Sequence, residues 1–133
     1  MMAQLLPRTF AGVAGGLLMV IGAGLLFQPH NFSAANGIIL GDNPSLISEI
    51  RAPGAVLMVS AIFMILGVGR ERFLRPALAL IMAIYGSYGL ARLLSIMLDG
   101  PPSPSLVQAM ILELIIASFA LIFWLRSGPI SLR

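Results

Sequence analysis

Residues 77–125 read ALALIMAIYGSYGLARLLSIMLDGPPSPSLVQAMILELIIASFALIFWL, and this stretch decides the fold. Two apolar runs, 77–98 and 106–125, flank a polar break at 99–105 that carries Asp99, Gly100, Pro101, Pro102 and Pro104. Each run holds about 20 residues, which at about 1.5 Å per residue covers a hydrocarbon core of about 30 Å. Lipid offers no partner to an open strand edge, so both runs are expected as α-helices. The glycine and prolines between them force a tight turn. Ser103 or Ser105 is placed to cap the helix that follows.

Two further runs, 9–27 and 52–69, have the same character, which gives four expected spans of about 18 to 22 residues. The whole chain agrees. Of its 133 residues 59% are hydrophobic and only 10% charged, and its mean hydropathy is +1.00. Soluble domains run near 25% charged, so water is not the main solvent here. The length suits one domain, an all-α integral membrane four-helix bundle, and leaves no room for a separate catalytic domain. With no cysteine and a single histidine, His30, thiolate chemistry and cysteine-ligated clusters are excluded. No metal site is expected. His30 reads as an interfacial polar residue. A pI near 10.7 points to nucleic acid in a soluble protein, but the eight basic residues are all arginines beside apolar runs, where topology explains them. No nucleic-acid partner is expected.

Residues 28–51 form the longest connection, rich in turn formers, with an apolar patch at 37–40 suited to the membrane surface. The connection at 70–75 ends at Pro76, in a place suited to the first helical position. Arg70, Arg72 and Arg75 share this connection, while Arg8, Arg126 and Arg133 flank the chain ends. By the positive-inside rule these six are cytoplasmic, both termini are inside, and the localisation is a multi-pass protein of the bacterial inner membrane. Arg51 and Arg92 then lie on the opposite side with Asp42, Glu49 and Asp99. A cleaved signal peptide competes for the first run, with Ile21, Gly22 and Ala23 as a loose cleavage site, but the run exceeds the usual 7 to 15 residues of such segments. The first run is therefore expected to remain as a span.

Small residues let helices approach closely in lipid. The first span offers Gly12, Gly15, Gly16, Gly22, Ala23 and Gly24, and Gly12 with Gly16 forms a GxxxG step suited to internal packing or to a homo-oligomer. Ala83, Ser87 and Ala91 repeat the spacing in the third span; Ala109, Ala117 and Ala120 follow it loosely in the fourth. Met58, Met64, Met82, Met97 and Met110 read as packing residues. Phe123 and Trp124 beside Arg126 read as an aromatic-belt anchor, and the arginines at 70–75 are placed to meet anionic lipid.

Two ionisable residues lie inside apolar runs, Arg92 and Glu113, where charge is costly and rarely idle. Arg92 precedes Asp99 by seven residues and Glu113 follows Leu106 by seven, so both sit about 10 Å below the same helix ends. An ion pair across the hairpin is expected. Tyr85, Tyr88, Arg92, Ser95 and Asp99 follow steps of three and four and share one helix face. Glu49 and Arg51 stand at the entrance of the second span, with Pro53 and Gly54 loosening its first turn. Together these residues suggest a polar pocket walled by the second, third and fourth spans; the competing reading is a structural ion-pair network that fixes helix register.

Glu49-Ile50-Arg51-Ala52, Ala91-Arg92-Leu93-Leu94, Asp99-Gly100-Pro101-Pro102-Ser103-Pro104 and the later Glu113 resemble the small bacterial membrane proteins of the domain of unknown function 4345 family. The similarity covers nearly the whole chain, and the spacing from Arg92 to the Asp-Gly-Pro turn is its most specific part. Pro53 departs from the family pattern, beside Arg51. The resemblance implies a four-helix membrane bundle and no known activity. A looser likeness to DoxX-type four-helix proteins, associated with quinone-linked redox chemistry, is a matter of fold alone.

The leading expectation is a non-enzymatic accessory or assembly subunit of a larger membrane complex, with the bilayer and other membrane subunits as partners and no cofactor. The alternative is a pocket protein that binds a quinone or lipid, or relays a proton, through Arg92, Glu113, Glu49, Arg51 and Tyr88. A channel or transporter is disfavoured by the few helices and the lack of an inverted repeat.

Overall fold

The computed structural model describes residues 2–127. They form five helices: α1 (Met2–Phe27), α2 (Pro29–Ala35), α3 (Pro44–Gly69), α4 (Glu71–Asp99) and α5 (Pro104–Arg126). Four are long and apolar enough to cross a membrane: Gln4–Phe27, Pro44–Gly69, Glu71–Asp99 and Pro104–Arg126. Arg133, grouped above with the arginines of the chain ends, lies outside the described residues.

The helices begin earlier than the apolar runs do. Asn43 accepts a hydrogen bond from the Ser45 N–H at 3.0 Å, and Pro44 takes the first helical position, so α3 starts eight residues before the run at 52. Pro53 and Gly54 are therefore interior to α3, not in its first turn. Only Arg70, in extended conformation, separates α3 from α4, and Pro76 lies inside α4 instead of opening it. Ser103 occupies the cap position of α5, yet its hydroxyl donates to the Asn36 carbonyl at 2.8 Å and caps nothing.

The short helix α2 was not expected within the connection at 28–51. Pro29 opens it, and it closes with Gly37 in the left-handed region at φ 77°. There the Gly37 N–H reaches the Ala34 carbonyl and the Ile38 N–H reaches that of Ser33, a Schellman motif that a residue with a Cβ would strain. The His30 Nε2 lies 3.0 Å from the Gly41 carbonyl and ties the rest of the loop down. The apolar patch at 37–40 is divided: Ile39 is 95% exposed while Leu40 is buried.

Each long helix packs on its neighbour in sequence, most extensively α1 on α3 and α4 on α5, with α3 joining the two pairs. The closest approach is between α1 and α3. A Cβ built on Gly22 would lie 2.8 Å from the Gly54 carbonyl oxygen, and one on Gly54 would lie 2.8 Å from the Leu26 nitrogen. Backbone touches backbone there, as small residues allow in lipid-embedded bundles. Within the chain, Gly12 of the GxxxG step meets Val68 of α3, while Gly16 faces open space. In α4 the glycines, not the expected alanine and serine series, meet α5. Gly89 packs on Leu114 and Gly86 on Ala117, whereas Ala83, Ser87 and Ala91 are exposed.

α5 is the most peripheral span, with Ala120 its only fully buried residue among those described. Aromatic contacts hold its end near Arg126: Phe123 meets Phe10 of α1 at 5.2 Å between ring centroids, and the Arg75 guanidinium lies 4.6 Å from the Trp124 ring centre. Trp124 is thus a cation–π platform between helices as well as an edge aromatic. Arg8 pairs with Glu71 at 3.9 Å at the same end, where Gln4 also donates to Glu71. Arg8, Arg70, Arg72, Arg75 and Arg126 all gather at this arginine-rich end of the bundle, and Arg51 lies towards the other.

Candidate functional site

Between the arginine-poor half of the bundle and α2 lies a partly enclosed cavity of about 290 Å³. Its walls follow one rule. Leu18, Ile21 and Leu25 of α1, Ile50, Pro53 and Leu57 of α3, Tyr85, Tyr88 and Arg92 of α4, and Leu106, Ala109 and Glu113 of α5 line it. Apart from Ile84, which also lines it from α4, each set is spaced i, i+3, i+7, one stripe over two helical turns, so the cavity is about 10 Å deep. α2 and the residues after it supply the roof through Phe32, Ser33, Asn36 and Ile38. The expected walls were the second, third and fourth spans; α1 and α2 complete them.

Arg92 and Glu113 meet. The Arg92 Nε donates to Glu113 Oε2 at 3.0 Å and to Oε1 at 3.3 Å. The two side chains retain 30% and 12% of their exposure, so the pair is largely withdrawn from solvent. Tight turn geometry brings this about: with α4 ending at Asp99 and α5 starting at Pro104, antiparallel packing sets residues 92 and 113 at similar depth. Charge opposite charge on facing helices is the arrangement that lets both stay in an apolar surrounding.

The polar stripe of α4 divides by depth. Tyr85 is at the floor, buried, and its hydroxyl donates to the Ala14 carbonyl of α1 at 2.7 Å. Tyr88 lines the cavity one turn above. Its hydroxyl has no hydrogen-bond partner among the described residues. Ser95 and Asp99 are exposed, bond each other at 3.0 Å, and do not line the cavity.

Glu49 and Arg51 do not join the site. The early start of α3 fixes its phase so that Ile50, Pro53 and Leu57 face the cavity, and Arg51, a hundred degrees round the helix from Ile50, turns outward. Its guanidinium donates instead to the Leu26 carbonyl at the C-terminal end of α1, where such orphan acceptors accumulate. Glu49 is exposed and does not line the cavity.

The roof went unread in the sequence. Phe32 packs so closely on α1 that a Cβ on Gly24 would clash with its ring. Ser33 is 4% exposed, and its hydroxyl has no hydrogen-bond partner among the described residues. Asn36 ties the roof to the turn between α4 and α5 through the bond from Ser103. The signal was the Asn36-Gly37 pair, a C-cap signature, preceded by Pro29 at helix-start position.

Residues 6–125 match the protein family described as Domain of unknown function (DUF4345). The chain belongs to this family. Every cavity-lining residue named above lies within the matched region, so the ion pair and the roof are part of the DUF4345 unit itself. No curated protein and no solved structure matches the chain.

Proposed function

We propose that this protein takes a lipid-soluble molecule into the cavity, with the polar end of that molecule at Tyr88, Arg92 and Glu113 and its apolar body against Leu18, Ile21 and Leu57. One observation carries the reading: a cavity of about 290 Å³, with walls mostly apolar, holds a few polar groups, Tyr88, Arg92 and Glu113 on α4 and α5 and Ser33 and Asn36 in the roof. Ligand pockets have this composition, and the volume lies just below their usual range of about 300 to 1,000 Å³, which suits a small ligand. The proposed setting is the bacterial inner membrane, with both termini in the cytoplasm. Arg8, Arg70, Arg72, Arg75 and Arg126 at one end support this orientation, which turns the cavity toward the periplasmic leaflet. No catalytic step is proposed, and binding alone is the activity.

Ala109 stands on the cavity wall and is only part-buried, so Ala109→Trp fills the space from the side of the peripheral helix α5. Protein extracted gently from its own membrane is expected to carry a lipid-soluble compound at close to one per chain, measured by solvent extraction and mass spectrometry. Ala109→Trp is expected to lower that content at least fivefold while keeping its helical circular dichroism. Equal content in both proteins would place the compound elsewhere and end the proposal.

A second reading, an accessory subunit in a larger membrane complex, draws support from a different surface. Ala83, Ser87 and Ala91 form an exposed small-residue face on α4, and the outer side of α5 exposes Leu112, Ile115 and Phe119 by about half. Small-residue faces suit close helix packing against another membrane chain.

A further inference from the structure

We infer that the cavity selects an uncharged head group bearing a carbonyl acceptor, in preference to an acid, an amine or a plain hydrocarbon. This rests on the proposed binding function and narrows it to a ligand class. The first ground is charge. Arg92 and Glu113 neutralise each other at 3.0 Å, so the site has no net charge left to match an ionic head. An added anion meets the Glu113 carboxylate, an added cation meets the Arg92 guanidinium, and either is costly away from water.

The second ground is the count of donors. Only the Nε of Arg92 engages Glu113, so its two Nη groups have no hydrogen-bond partner among the described residues. The hydroxyls of Tyr88 and of Ser33 are in the same position, and all three side chains line the cavity. A guanidinium offers donors and no acceptor, and a hydroxyl donates once. Polar groups held in an apolar surrounding without partners are unfavourable, so the site favours an occupant that brings acceptors. A carbonyl oxygen carries two lone pairs and no proton, which complements this set. The rest of the lining is mostly apolar, Leu18, Ile21, Leu25, Leu57 and Leu106 among it, so the carbonyl must sit on a hydrophobic body.

Two sources supply this chemistry, a quinone-type ring and an ester of an acyl chain. The test uses full-length protein in detergent micelles and two radiolabelled probes, menadione for the ring and methyl decanoate for the ester, with saturable binding read by scintillation proximity. At least one probe is expected to bind saturably; the tighter of the two identifies the source. Unlabelled decanoate, decylamine and undecane are expected to compete at least tenfold less well than the matching neutral carbonyl compound. Tyr88→Phe and Ser33→Ala, which keep the shape of the walls, are each expected to weaken the carbonyl probe by roughly 3- to 10-fold, the loss of one hydrogen bond. Competition by undecane should stay unchanged in both variants, and Arg72→Gln at the opposite end should alter nothing.

Decanoate or decylamine competing as well as the neutral compound overturns the ligand class and leaves the binding function standing. Carbonyl binding untouched in both hydroxyl variants overturns it too. Neither probe binding while the native protein still carries a compound that Ala109→Trp expels refutes the class alone. Neither probe binding together with an empty native protein refutes the binding function as well, and leaves the cavity holding water.

Discussion

Gly54→Leu is expected to lower the unfolding free energy in detergent by about 3 kcal/mol, the upper end of the cost of overpacking a core. The atoms around Gly54 decide this. A Cβ there meets the Leu26 nitrogen at 2.8 Å, the Gly22 carbonyl at 2.9 Å and the Leu25 Cβ at 2.9 Å. Two of these are backbone atoms of a continuous helix and cannot rotate aside, so α1 and α3 must separate along their most extensive contact. Gly22→Leu is expected to act alike, because its neighbours are the Gly54 carbonyl and the Met58 nitrogen. Gly16→Ala, whose added Cβ meets nothing within 4 Å, is expected to cost nothing. Reversible unfolding in mixed micelles checks all three, and a Gly54→Leu protein as stable as Gly16→Ala would refute the close crossing.

The second large effect concerns the ion pair. Arg92→Ala leaves Glu113 beside apolar walls with 12% of its side chain exposed and no countercharge. Breaking a fully buried pair costs about 3 to 5 kcal/mol; partial access of Arg92 lowers the expectation to about 2 kcal/mol. Arg72→Ala removes an exposed cation–π contact with Phe73 at the bundle end, a loss of about 0.5 to 1 kcal/mol. Thermal unfolding should therefore rank Arg92→Ala well below Arg72→Ala. The exchange Arg92→Glu with Glu113→Arg is expected to recover part of the loss, seen as a coupling energy in a double-mutant cycle. Strict additivity would mean that the two side chains act independently.

Much of this fold was legible in the residues because apolar length is a strong signal for helices long enough to cross a membrane. The pairing of residues 92 and 113 was legible for a geometric reason: the turn at 99–105 is short, so counting back and forward from it fixes relative depth. Helix phase was less accessible. The apolar run at 52 suggested a helix start there, whereas Asn43 and Pro44 start α3 earlier and carry Arg51 round to the Leu26 carbonyl. Polar residues can continue a helix beyond the hydrocarbon, so hydropathy marks the span and not the helix.

The same gap explains the proline at 76 and the glycines. Pro76 looked like a helix start because the arginines before it looked like loop, yet Glu71 and Arg72 already form the first turn of α4. Gly12 and Gly16 have the better-known spacing, but spacing within one helix does not say which neighbour it meets. The contact that matters is Gly22 against Gly54, and it needs the crossing point of two helices, which no single segment encodes. The roof was missed since a seven-residue helix leaves no periodic trace; its Schellman close at Gly37 was the one readable mark.

The space beside Tyr88, Arg92 and Glu113 is proposed to belong to a bound molecule. Crystals grown from a lipid mesophase test it most directly, through the density in that space. One continuous elongated feature is expected, its polar end within hydrogen-bonding distance of the Tyr88 hydroxyl or an Arg92 Nη and its body running toward Leu57. A cavity closed by its own side chains, or filled only by separate water peaks along the Arg92–Glu113 pair, would contradict it.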